Sequence, residues 1–238
     1  MPRSMFDQDL QRLQDEILSL GSMVRNALVT SVEMLRKRDL DGSRSIIFSD
    51  NEINRRRFAI EAECLTLIAT QQPMASDLRL LAAILDISSE LERIGDYAKG
   101  IARINLMIGQ KPLVKPLVDI PLMAEKASSM LHQALTAFTN QDIDLATQIP
   151  AQDDEVDALY NSVYRELISI IMENPQAIDQ ANHLLWTAHN LERAADRVTN
   201  ICERVIFTVT GKMVEVTADE YGSIDDVPTE VDDVGSVN

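Results

Sequence analysis

The chain has 238 residues, 45% of them apolar, enough to bury a sizeable core in one large domain or two smaller ones. Thirty-eight acids against 22 bases give a formal charge of −16, which repels nucleic-acid phosphates and anionic lipid and leaves cations and basic protein surfaces as partners. Two thiols, Cys64 and Cys202, both inside apolar helical pattern, exclude a disulfide scaffold and read as core residues of a reduced, cytoplasmic chain.

The start, MPRSMFDQDL, lacks an apolar signal core. No run approaches the ~20 apolar residues that span a bilayer, and the most apolar stretch, LRLLAAILDI, carries Arg79 and Asp86, so any membrane role runs through a partner.

Helical periodicity dominates from the first residues onward. Phe6, Leu10, Leu13, Ile17, Leu20, Val24, Ala27, Ser31 and Met34 follow steps of four and three, the seam of a long bundle helix. Ile46, Ile53, Ile60, Cys64 and Leu67 outline a second helix, its stripe interrupted by Asp50 and Arg57. Pro73 breaks the pattern, with Ser76 or Asp77 able to cap the next helix. That helix is predicted over residues 77–109 on the seam Leu80, Ile84, Ile87, Leu91, Ile94, Ala98, Ile101, Asn105 and Ile108. Pro112, Pro116 and Pro121 then forbid continuous helix and mark a boundary. Three more helices follow, in LMAEKASSMLHQALTAF, DLATQIPAQDDEVDALYNSVYRELISIIM and AIDQANHLLWTAHNLERAADRVTNICERVIF. From Gly211 the chain carries eight acids, one Lys and no apolar stripe, which predicts a disordered acidic tail. The organisation expected is a first three-helix unit over 1–110, a proline-containing linker over 111–120, a second unit over 121–210 and the tail over 211–238.

The two units are copies. Asp39, Asp41, Ile46, Asp50 and Glu52 recur as Asp142, Asp144, Ile149, Asp153 and Glu155, at an offset of 103. Leu91, Glu92, Arg93, Asp96 and Ile101 then recur as Leu191, Glu192, Arg193, Asp196 and Ile201, at an offset of 100. An internal duplication of an all-α unit is the economical reading. It repeats the acidic pairs Glu92 with Asp96 and Glu192 with Asp196, each at i, i+4 and so on one face of its helix. Asp153 with Asp157 is a third such pair, whereas the first unit offers Asp50 with Asn54. Counted from Pro73, Asp50 and Asp96 are equally distant, and Asp153 and Asp196 are nearly so from Pro175, so antiparallel helices bring each set to one height. Such carboxylates can solubilise a helix, pair with Arg93 and Arg193, or hold a hard cation that takes six or more oxygen ligands.

Together, QQPMASDLRLL, ELERIGDYAKGI, NLERAADRVTNICE and the duplicated plan resemble the PhoU family of phosphate-uptake regulators over about residues 5–210. The resemblance implies two tandem, duplicated three-helix bundles and a multinuclear metal site on the protein surface. Carried over residue by residue, the ligands are Asp50, Glu92, Asp96, Asp153, Asp157, Glu192 and Asp196, for divalent or trivalent metal ions with iron or zinc as candidates. Asn54 stands where the first unit's fourth acid is expected, which lowers its charge and its metal affinity. The resemblance also implies negative control of phosphate uptake and of the phosphate-starvation response. In that role the chain is a cytoplasmic adaptor, peripheral to the membrane, between the ATPase subunit of the phosphate ABC transporter and a phosphate-sensing histidine kinase; a homodimer is one assembly open to it.

Two rivals stand beside this reading. A ferritin-like carboxylate-metal enzyme needs Glu-x-x-His pairs, and no Glu here is followed three residues later by His. A metal-free helical scaffold leaves the duplicated acids unexplained. His189 precedes Glu192 by three and can add a ligand in the second unit only, while His132 and His183 read as ordinary helix residues. No nucleophile elbow or glycine-rich phosphate loop is present, and no enzyme is predicted. Met107, Met130, Phe138 and Trp186 are expected in packing roles.

Overall fold

A computed structural model describes residues 3–216, and among these there are helices and no strand. The helices are α1 (Arg3–Lys37), α2 (Leu40–Gln71), α3 (Ala75–Ile108), α4 (Asp119–Asn140), α5 (Ile143–Gln148), α6 (Asp153–Glu173) and α7 (Ile178–Thr210). The first repeat is the bundle α1–α2–α3 and the second is α4, α5–α6 and α7, the two tandem three-helix bundles expected.

The duplication extends to backbone detail. Arg38 and Gln141, both in the left-handed region at φ 60° and 54°, end the first helix of each repeat. Each is followed by an aspartate that caps the next helix: Gly42 N–H donates to Asp39 at 2.8 Å and Leu145 N–H to Asp142 at 2.9 Å. The third helices both close on a glycine at positive φ, Gly109 (φ 68°, ψ −143°) and Gly211 (φ 73°, ψ 4°), of which only Gly211 is left-handed helical.

Several expectations shift. α1 keeps its expected seam to Val24 and again at Ser31, but Leu28, Val32 and Leu35 are buried where Ala27 and Met34 were expected, and those two sit at its edge. An α-helix repeats every 3.6 residues, not 3.5, so a stripe drifts round a straight helix as it lengthens. In α3 Leu81 is buried in place of Leu80, and the N-cap is Met74, without a side-chain cap bond, in place of Ser76 or Asp77. Pro150, which replaces Ile47, splits the second repeat's middle helix into α5, a 3₁₀ turn over Pro150–Gln152, and α6, because its ring and missing N–H forbid an unbroken ladder. α4 already begins at Asp119, with Pro121 in its first turn, where no intrahelical donor is needed. Met130 and Phe138 are buried as expected, whereas Met107 and Trp186 are exposed.

The repeats pack through equivalent helices, α3 on α7 and α1 on α4, and a single apolar core runs through both. Gly21 leaves room for Leu135 of α4, whose Cδ1 would lie 2.1 Å from a Cβ there. Beyond α7, residues 211–216 turn back without helix, Val216 N–H donating to Glu203 Oε1 at 3.1 Å. The disorder expected of the tail otherwise falls on residues 217–238, outside the described residues.

Candidate functional site: two carboxylate clusters

In the second repeat the first two turns of α6 supply Asp153 and Asp157, and the middle of α7 supplies Glu192 and Asp196. The four are electrostatic neighbours. Asp153 is pushed up to about 7, first by burial and then by Asp196, Asp157 and Glu192. Burial, then the charge of Asp196, also raises Asp157 and Glu192. Asp153 Oδ1 and Glu192 Oε2 are buried without an aligned hydrogen-bond donor. His189 Nδ1 stands 3.1 Å from that Glu192 oxygen and opposes the rise of Glu192, as an ion pair when the imidazole is protonated and as an Nδ1–H donor when it is neutral. The Tyr160 ring lies 6.2 Å from the His189 ring, and burial followed by Glu192 raises its phenol.

The first repeat brings Asp50, Glu92 and Asp96 to the equivalent place, so the hairpin arithmetic holds there too. Asp50 is 3% exposed, and its position on the apolar stripe of α2 is explained by its partners. Lys99 Nζ lies 2.6 Å from Asp50 Oδ2 and 3.4 Å from Asp96 Oδ1. Asn54 Nδ2 donates to the same Asp50 Oδ2 at 3.1 Å, and Asp50 Oδ1 is buried without a donor. The Asp50 hydrogen bond raises the Lys99 ammonium above its ordinary value. Glu92 is raised first by burial and then by Asp96, with Arg57 opposing.

Arg93 pairs with Glu90 at 2.7 Å and offsets the rise of Glu92 less than Arg57 does, and Arg193 lies over the Tyr97 ring at 5.5 Å. Sequence reasoning missed Lys99. Its signal was present, since Thr199 occupies the matching position in the otherwise parallel motif.

As the side chains stand, no three described His, Cys, Asp or Glu residues already enclose a point at metal-ligating distance. The second cluster has the chemistry for a hard cation, being all oxygen, with two buried oxygens that lack an aligned donor and carboxyls raised first by burial and then by one another. Asp157 is exposed, and Asp153, Glu192 and Asp196 are half-buried. The first cluster does not fit a metal in the same way, because Lys99 and Asn54 occupy Asp50.

The family model for the PhoU domain matches this chain twice, over residues 17–104 and 120–205. Among curated relatives, the phosphate-specific transport system accessory protein PhoU homolog of Clostridium acetobutylicum is 36% identical over 220 residues, covering 91% of this chain and 99% of that protein. The phosphate-specific transport system accessory protein PhoU of Escherichia coli K12 is 34% identical over 207 residues, covering 87% and 86%. Two crystal structures superpose: the phosphate transport system regulatory protein PhoU from Streptococcus pneumoniae, with TM-score 0.81, 32% identity and coverage of 88% and 99%, and PhoU from Pseudomonas aeruginosa, with TM-score 0.82, 32% identity and coverage of 87% and 100%. With two copies of the domain, relatives matched over almost their full length and the same fold, this chain belongs to the PhoU family.

Proposed function

We propose that this chain is a non-enzymatic regulator of phosphate-specific transport whose second repeat holds a divalent or trivalent cation between Asp153, Asp157, Glu192 and Asp196. The observation that carries the metal reading is the convergence of these four carboxylates, with Asp153 held at about 7 and buried oxygens on Asp153 and Glu192 that lack an aligned donor. A bound cation supplies the positive charge that this set lacks. Asp153 Oδ1 and Glu192 Oε2 are the buried oxygens of the set, and Asp157 stands at the solvent edge.

The regulatory reading is supported by what the relatives are called, accessory and regulatory proteins of phosphate transport. No helix among the described residues is long and apolar enough to cross a membrane. We place the chain at the cytoplasmic face, restraining uptake and the starvation response by linking the transporter's ATPase subunit to a sensor histidine kinase. Iron and zinc are the first metals to try.

Two experiments test these readings. Elemental analysis of full-length protein purified without chelator should find metal in the parent and little in E192Q/D196N; equal metal in both removes the site assignment. Deletion of the protein should leave phosphate-starvation genes expressed in rich phosphate, and affinity capture should retain the ATPase subunit and the kinase. Normal repression and uptake after deletion would point to a different role.

A further inference from the structure

The first repeat has the layout of a cation site, and the cation nearest its carboxylates belongs to the chain. Lys99 descends from α3 between Asp96, one turn earlier on its own helix, and Asp50 on α2. The 2.6 Å contact is a charge-assisted bond to a carboxylate that is 3% exposed. Asn54 donates to the same oxygen, leaving Oδ1 the one Asp50 oxygen without a donor. Arg57 adds a second positive charge facing Glu92 while pairing with Glu61 at 3.1 Å.

The second repeat has none of these. Position for position, Lys99 becomes Thr199, Asn54 becomes Asp157 and Arg57 becomes Tyr160. The Thr199 hydroxyl donates to the backbone carbonyl of Asp196 at 2.8 Å. Three carboxylates against Lys99 leave two formal negative charges in the first cluster, the charge of Arg57 being shared with Glu61; with His189 neutral and all four carboxyls ionised, Asp153, Asp157, Glu192 and Asp196 leave four in the second.

We infer that Lys99 is a tethered counter-ion that closes the first repeat's carboxylate cluster to metal, so that the chain binds its cation in the second repeat alone. The one-sided binding rests on the metal reading proposed above, whereas the closure of the first repeat stands on the Lys99 contacts. An incoming metal would have to displace an ammonium covalently held at the site and bring its own charge beside Arg57. That costs the Asp50 bond and adds like-charge repulsion.

The test uses the full chain and Mn²⁺, followed by equilibrium dialysis and by the loss of the free-ion electron paramagnetic resonance signal. Parent protein should bind Mn²⁺, E92Q/D96N should bind as the parent does, and E192Q/D196N should not bind. Adding Lys99→Gln to E192Q/D196N should create a Mn²⁺ site at least about 10-fold tighter than that background, as freeing charged ligands tunes such affinities over decades. Lys99→Met, which keeps the aliphatic stem, is the second variant should the glutamine fold poorly. Independently of metal, Lys99→Gln should lower the Tm by roughly 5–10 °C by stranding buried Asp50, and D50N/K99Q should regain most of it.

Loss of Mn²⁺ from E92Q/D96N, no gain on removing Lys99, or an unchanged Tm would each overturn the inference. Full binding by E192Q/D196N would overturn the second-repeat metal reading. A parent that binds nothing while the Lys99 variant gains a site would do the same, and would leave the closure of the first repeat standing.

Discussion

The two repeats share a backbone plan down to the left-handed residues at 38 and 141, yet they differ in what fills equivalent positions. At the end of the third helix, Asn105 is fully buried in the first repeat and Val205 in the second. Asn105 Nδ2 shares its two N–H donors among Met34 O and Asp39 O, both at 3.0 Å, and Ser43 Oγ at 2.8 Å, and Arg38 donates to its Oδ1 and to Gly109 O. Val205 and Ala146 replace Asn105 and Ser43 with apolar contact. The carboxylate clusters differ in the same way, one partly neutralised by the chain's own lysine and one not. Duplicated geometry is thus kept by the helix pattern, while chemistry is set by a few side chains at matched sites.

Transplanting those side chains sharpens the contrast. The largest effect is expected from Thr199→Lys, which gives the second repeat the first repeat's counter-ion. Metal affinity should fall about 100-fold or more, roughly 3 kcal/mol, with the fold retained by circular dichroism. Unchanged Mn²⁺ uptake would show that a lysine at this position does not govern the site.

Next comes Asn105→Val, which copies the second repeat into the first without its compensating Ala146. Losing the Nδ2 contacts to Met34 O, Asp39 O and Ser43 Oγ and the Oδ1 acceptor of Arg38 should cost about 2–3 kcal/mol in urea unfolding. A loss below about 0.5 kcal/mol would mean that the polar clamp is no stronger than the apolar one.

A pH scan of metal-free protein should separate the repeats as well. Asp153 is raised from 3.8 to about 7, so the folded chain holds a proton between those values that the unfolded chain has released. Stability from this group is therefore full below about 4 and falls as pH rises toward 7. With solvent screening discounted, the span is roughly 1–2 kcal/mol. Asp153→Asn should flatten that slope in part, with Asp157 and Glu192 keeping the rest, and Asp96→Asn should flatten it less, acting only through Glu92.

The smallest effect is a predicted equality. Asp39→Ala and Asp142→Ala each remove one N-cap bond of matching length and should each cost about 1 kcal/mol by urea unfolding. A difference beyond about 1 kcal/mol would show that the caps are not equivalent.

Much of this was legible in the residues. Helix pitch is a local property, so steps of three and four located α1, α2, α3, α4 and α7, and the same pitch put Glu92 with Asp96 and Glu192 with Asp196 on single faces. Equal distances from Pro73 and Pro175 placed the acids of neighbouring helices at one height, because antiparallel helices rise alike.

The rotation of each helix about its axis is not local, and it decided the rest. It moved the α1 stripe to Leu28, Val32 and Leu35, paired α3 with α7 and α1 with α4 across the repeats, and turned Lys99 toward Asp50, 49 residues away in the chain. Nothing in the period of a single helix encodes which neighbour a charged side chain will face. That depends on how apolar stripes from several helices close one core, and only the tertiary structure records that outcome.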